Sequence, residues 1–178
     1  MTGQTKGNSM KNIVLTGFMG TGKTEVAKEL SRLLGMRFID IDHEIEVSQG
    51  STINELFASR GEGYFRQVEA SIIRQFSSEQ GVVISTGGGA VLREENITAL
   101  QSTGVIFCLT ADPQTILQRT EGHDDRPLLL SGDRKTRIAE LLQQRKLLYE
   151  KAGTMIDTEG KTPLQVAEEI IEKVPWIK

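Results

Sequence analysis

The chain has 178 residues, 38% of them hydrophobic and 25% charged, with a formal net charge of −3 at pH 7. Those proportions fit one soluble globular domain, and the interspersed charges exclude the clustered Lys/Arg face of a nucleic-acid binder. No apolar stretch reaches membrane-spanning length, no apolar signal-peptide core precedes the first predicted strand, and the lone Cys108 excludes an internal disulfide and a thiolate metal site. A cytoplasmic, monomeric enzyme is expected, with small-molecule substrates and neither a nucleic-acid nor a membrane partner.

Residues 1–9 are polar and aperiodic and read as a disordered tail, leaving 10–178 as one domain. Asn12–Thr16 is apolar and reads as a buried strand. It runs into Gly17-Phe18-Met19-Gly20-Thr21-Gly22-Lys23-Thr24, which fits the phosphate-loop pattern G-x-x-x-x-G-K-[ST]. Val26, Ala27, Leu30, Leu33 and Leu34 then form one helical stripe. Strand, glycine loop and helix are the context the pattern needs. The glycines let backbone N–H groups curl around phosphate oxygens, and the helix start adds a favourable dipole. Lys23 is placed for the outer phosphates and the Thr24 hydroxyl for Mg²⁺.

A second strand, Arg37–Asp40, leads into Asp40-Ile41-Asp42. If the strand persists, alternation sends both carboxylates to one side, suited to Mg²⁺ and an attacking hydroxyl; the alternative is an Asp-rich helix start. The amphipathic run Tyr64–Ser78 carries Phe65, Val68, Ile72 and Phe76 on its apolar stripe, with Arg66 beside it and Glu69 three residues on as a pairing partner. The third strand, Val82–Ser85, is followed by Gly87-Gly88-Gly89, which marks either a tight turn or a close backbone approach to a ligand. The fourth, Val105–Leu109, encloses Cys108 as a buried, inert thiol. Glu121–Asp133 lacks periodicity, has glycines near both ends and contains Arg126-Pro127, so it reads as a mobile loop rather than a domain boundary. In the helix Arg134–Glu150, Arg145 falls on the apolar stripe of Ile138, Leu141, Leu142, Leu148 and Tyr149. An inward Arg needs an ion-pair partner or a bound anion. The last strand is Thr154–Asp157. His43 and His123 are too far apart for a local metal motif, and solvent is the expected place for each.

Five strands alternating with helical patterns predict an α/β fold, a three-layer α/β/α arrangement on a parallel sheet. Ligands in such folds sit at the carboxyl ends of the strands, where the polar motifs fall. Neither Val82–Ser85 nor Val105–Leu109 ends in a carboxylate, so the acid for Mg²⁺ is assigned to Asp40-Ile41-Asp42. A GTP switch would need a base-reading N-K-x-D, which is absent. The D-x-x-G match at Asp157–Gly160 lies after the last strand and is taken as chance.

Taken in order, Gly17–Thr24, Asp40-Ile41-Asp42, Phe65-Arg66, Gly87-Gly88-Gly89-Ala90, Arg126-Pro127-Leu128-Leu129 and Arg145-Lys146-Leu147-Leu148-Tyr149 resemble the shikimate kinases from about Asn12 to Ile171. The resemblance implies a nucleotide-kinase-like phosphate-loop fold with a mobile lid. It also implies transfer of the ATP γ-phosphoryl group to the 3-hydroxyl of shikimate, in aromatic amino-acid biosynthesis, with ATP as co-substrate and Mg²⁺ as cofactor. By the same resemblance Gly20, Thr21, Gly22, Lys23, Thr24 and Glu25 hold ATP, with Arg119 and Pro163 flanking the adenine. Asp42 binds the substrate hydroxyls and takes the proton of the attacking one. Phe57 packs on the ring, Gly87, Gly88 and Gly89 meet the substrate, and Arg66 and Arg145 clamp its carboxylate. Thr24 ligates Mg²⁺ directly and Asp40 through water, with Ser85 near that water shell. Lys23, Asp42 and Arg126 form the catalytic set, Arg126 reaching the transferring phosphoryl group from the lid. Two positions depart from the family pattern: Glu25 replaces a small hydroxyl residue, and Lys161 stands where Arg is common. The rival readings are another small-molecule kinase, such as a gluconate kinase, and a nucleotide-dependent switch.

Overall fold

A computed structural model of the protein describes residues 11–121 and 133–177. The expected tail and most of the expected lid, including Arg126 and His123, lie outside the described residues.

Five strands form one parallel sheet: β1 (Asn12–Gly17), β2 (Arg37–Asp40), β3 (Val82–Ser85), β4 (Gly104–Thr110) and β5 (Thr154–Asp157), in the order β2-β3-β1-β4-β5. All six residues of β1 are buried, as a central strand covered on both faces requires. Its alternating side chains feed two cores. Ile13 and Leu15 face α1 (Lys23–Leu34) and α7 (Pro163–Lys173), packing with Val26, Leu30, Val166 and Ile170. Val14 faces the other layer, which holds Ile41 and Ile45 of α2 (Ile41–Gln49), Phe65 and Ile73 of α3 (Ile53–Ser77) and Leu100 of α4 (Glu94–Thr103). Ile116 of α5 (Pro113–Thr120) and Ile138 of α6 (Arg134–Ala152) complete it. The three layers are those the alternating pattern predicts.

One helix differs from expectation, and one open choice is decided. The helix predicted over Tyr64–Ser78 begins at Ile53, capped by the reciprocal bonds of Thr52 and Glu55, and breaks at Gly61, where φ is 80°. Gly61 and Gly63 interrupt the periodicity, which hides the first half of this helix from a pattern reading. β2 ends at Asp40, as expected, and of the two readings left open for Asp40-Ile41-Asp42 the helix start holds. The Asp40 side chain caps α2, accepting hydrogen bonds from the backbone N–H of Asp42 at 3.1 Å and of His43 at 3.4 Å.

Because β1 and β3 are neighbours, the loops that follow them emerge side by side at the carboxyl edge. The Thr86 N–H extends their pairing by donating to Leu15 O at 3.0 Å.

Candidate active site

The phosphate loop takes its shape from Gly20 and Gly22, whose φ values of 75° and 88° suit glycine. Gly22 is the N-cap of α1 and supplies no side-chain cap, so the N–H groups of the first turn point at whatever anion the loop holds. Lys23 Nζ donates to Phe18 O at 2.9 Å, and the Thr21 hydroxyl donates to the same carbonyl at 2.8 Å. The loop is therefore tied from within. Glu25 lines the same cavity, but its carboxylate accepts from Lys28 Nζ at 2.7 Å, which offsets its charge beside a phosphate site.

Asp40 and Asp42 reach the site by the helix route. Capping α2 occupies Asp40 Oδ1, while Oδ2 accepts from the Thr24 hydroxyl at 3.3 Å. A cavity of about 250 Å³ is lined by Gly20, Gly22, Lys23, Thr24, Asp40, Asp42, Ser85 and Thr86. One hydroxyl, one carboxylate oxygen and room for waters and phosphate oxygens are donors that fit Mg²⁺.

A second cavity, of about 490 Å³, shares Met19, Asp40, Asp42, Gly87 and Gly88 with the first. Its far side is cationic and aromatic. Arg66 and Arg145 both line it, 8% and 5% exposed. Arg66 Nη1 donates to Glu69 Oε2 at 2.8 Å, and Nη2 donates to Glu62 Oε1 at 3.1 Å. Phe57 stacks on Phe65 with ring centroids 4.7 Å apart, forming an apolar wall. Arg145 Nη1 makes a long bond, 3.4 Å, to Gly88 O, and the guanidinium lies over the Phe18 ring at 5.9 Å. A second oxygen, Glu69 Oε1, is buried without a hydrogen-bond partner among the described residues. Burial pushes the Glu69 carboxyl above its ordinary range; Arg66 pulls it back in part, and the charge on Asp42 adds to the rise.

None of Gly87, Gly88 and Gly89 has a positive φ. Their small size is required by what they face. A Cβ on Gly87 would lie 2.7 Å from Asp42 Oδ1, one on Gly88 would lie 3.0 Å from Gly17 O, and one on Gly89 would fall on the Arg66 guanidinium. The loop leaves room for the protein's own charged groups to converge. Gly89→Ala should therefore displace Arg66 while keeping the fold. Because a hydrogen bond to a charged group contributes about 1.5–3 kcal/mol, a substrate anion held by Arg66 should lose about tenfold or more in apparent affinity. Steady-state kinetics with each substrate varied in turn checks this, and an unchanged KM for the anionic substrate contradicts it.

The raised Glu69 pKa gives a stability prediction. A carboxyl whose folded pKa exceeds its ordinary 4.5 contributes stability that is present below that value and lost as pH rises through the folded pKa. Glu69→Gln does not titrate. The unfolding free energy of the variant minus that of the parent should thus climb as pH rises above about 4.5, read from denaturant titrations at several pH values. A difference that stays flat with pH contradicts the reading.

Of the described residues predicted for the site, Arg119 and Pro163 line neither cavity. Arg119 Nη1 donates to Gly20 O and to the Thr158 hydroxyl, both at 3.3 Å, so it bridges the phosphate loop to the loop after β5. Pro163 opens α7 at the end of that loop. Lys161, the departure from Arg, donates to Glu169 at 2.7 Å and to Asp157 O at 2.8 Å. The D-x-x-G match has a structural use, since Glu159 accepts from Asp112 N at 2.6 Å and from the Thr115 hydroxyl at 3.0 Å. The pattern reading did not single out Glu46, Thr52, Ile53 and Asn54, which also line the larger cavity, as do Met19 of the phosphate loop and the exposed His43. The T-x-x-E signature at Thr52–Glu55 was the available signal for Thr52, Ile53 and Asn54.

The family model described as Shikimate kinase matches residues 19–175. A shikimate kinase of Thermodesulfovibrio yellowstonii is 50% identical over 164 residues, covering 92% of this chain and 95% of that protein. One of Persephonella marina is 41% identical over 165 residues, covering 93% and 99%. The solved structure of shikimate kinase from Acinetobacter baumannii in complex with shikimate superposes with a TM-score of 0.89 at 35% identity, covering 92% of each chain. The YorR protein of Bacillus subtilis, solved with phosphorylated GDP, matches at a TM-score of 0.63 and 19% identity, a likeness of fold alone.

Proposed function

The chain belongs to the shikimate kinase family and transfers the ATP γ-phosphoryl group to shikimate; from that premise we propose how its two joined cavities divide the work. The smaller cavity takes the nucleotide phosphates on Gly20–Glu25. The larger takes shikimate, with its carboxylate on Arg66 and Arg145 and its ring against Phe57. The observation that supports this division is the shared boundary. Asp42, Gly87 and Gly88 line both cavities, so a hydroxyl held there faces the outer phosphate directly.

Arg is suited to this clamp because its planar fork matches a carboxylate. Glu69 and Glu62 hold the Arg66 guanidinium in place before substrate arrives. Asp42 orients the 3-hydroxyl and accepts its proton as the P–O bond forms. Lys23 leaves Phe18 O for the outer phosphate oxygens, where negative charge must be neutralised. Thr24 and Asp40 would hold Mg²⁺, which supplies further charge neutralisation at those oxygens when bound. Arg119, at the phosphate loop, and Pro163 would border the adenine. Arg126 keeps the role the sequence implies, contact with the transferring group. Catalysis of this kind is mostly positioning and electrostatic stabilisation. We also propose, from the sequence alone, that the enzyme acts as a cytoplasmic monomer.

ADP release measured with shikimate, with gluconate and with water as the only acceptor tests the reading. Shikimate should raise the rate far above the other two. Equal rates with gluconate would reverse the assignment of the larger cavity.

A further inference from the structure

Helix α6 sends two donors to one acceptor. Arg145 and Tyr149 are one turn apart, and both reach Gly88 O, Arg145 Nη1 at 3.4 Å and the Tyr149 hydroxyl at 2.6 Å. Tyr149 is 4% exposed and packs within the apolar layer beneath the larger cavity. A buried phenol keeps a hydrogen-bond partner, and here that partner is the middle residue of the glycine loop. Burial also pushes the phenol up to about 12, so it remains a donor throughout the neutral range. On its other side Gly88 is confined by the phosphate loop, because even a Cβ there would lie 3.0 Å from Gly17 O. The Gly88 carbonyl is thus fixed between β1's loop and α6.

The two bonds to that carbonyl are unequal. A separation of 2.6 Å is short for O–H···O, and 3.4 Å is long for N–H···O. The carbonyl is satisfied chiefly by Tyr149, and the Arg145 guanidinium, which lies beside the Tyr149 hydroxyl and over the Phe18 ring at 5.9 Å, holds it only by the long bond. A guanidinium drawn fully onto a backbone carbonyl would be turned away from a carboxylate in the cavity. We infer that Tyr149 is a positioning residue for shikimate: by taking up Gly88 O it keeps the Arg145 fork available for the substrate carboxylate and holds the glycine loop at a fixed spacing from α6. This rests on the clamp assigned to Arg145 above.

Tyr149→Phe keeps the ring and removes the donor. Arg145 should then close on Gly88 O. Because a single hydrogen bond contributes about 0.5–1.5 kcal/mol net, the shikimate KM should rise about twofold to twelvefold. Turnover and the ATP KM should stay close to those of the parent, and unfolding should remain one cooperative transition. A merely structural role would shift stability without separating the two substrates. The decisive arm repeats the substitution in an Arg145→Ala background, where no guanidinium is left to misplace, and there Tyr149→Phe should add nothing to the shikimate KM. An equal rise in both backgrounds overturns the inference, as does an unchanged KM in the single variant. If Arg145→Ala itself leaves the shikimate KM unchanged, the clamp falls first. If Arg145→Ala raises it and Tyr149→Phe does not, the clamp stands and the inference alone fails.

Discussion

Lys23→Ala should lower turnover by about a hundredfold to a thousandfold, the cost of removing one preorganised group from developing charge. The fold should persist, because Lys23 is the first residue of α1 and its ammonium donates to a loop carbonyl, while neither core contains it. Removing it leaves the phosphate loop with the Thr21 hydroxyl on Phe18 O and takes the cation from the outer phosphate oxygens. The loss should fall on kcat and on kcat/KM for both substrates, since the charge it meets is greatest in the transition state. Single-turnover kinetics under saturating ATP and shikimate measure it. Near-normal turnover would mean that this loop is not where the phosphoryl group is transferred.

Arg66→Ala and Arg145→Ala should each weaken shikimate binding by about 2–5 kcal/mol, while ATP affinity changes little. Both side chains line the larger cavity, away from the loop residues that line the smaller one. The two variants should differ in stability. Removing Arg66 leaves Glu69 buried without its ion partner, so that variant should also lose folding free energy. Arg145 makes a long bond and lies over the Phe18 ring at 5.9 Å, so its removal should affect binding more than folding. Equilibrium titration with each ligand, beside denaturant unfolding, separates these effects. Equal losses for ATP and shikimate would contradict a carboxylate clamp.

Much of the fold was legible because short apolar runs between turn residues leave little choice. Arg37–Asp40, Val82–Ser85 and Thr154–Asp157 are strands at the expected residues, and β4 exceeds its predicted run by one residue at each end. The phosphate loop was legible because strand, glycines and helix agree with one another. Asp40-Ile41-Asp42 was harder. Over three residues a strand and a helix start present the same pattern, and the capping ability of the Asp40 side chain decided it for the helix. Both acids still line the cavities, because the first turn of α2 projects from the end of β2.

What the sequence could not show depends on packing between distant segments. The glycine triplet left a tight turn and a ligand approach open. The structure adds that these glycines make room for Asp42 and Arg66. The bond from Tyr149 to Gly88 spans 61 residues, and no local periodicity reports it. Nor does any pattern show that Glu69 keeps one oxygen on Arg66 and the other unpartnered among the described residues.

The division of the site is tested most directly by a crystal structure of the protein with shikimate, ADP and Mg²⁺. The shikimate carboxylate should lie within hydrogen-bond distance of both Arg66 and Arg145, its 3-hydroxyl on Asp42, and the ADP phosphates on the N–H groups of Gly20–Glu25. A carboxylate bound away from the two arginines, or a nucleotide in the larger cavity, would contradict it.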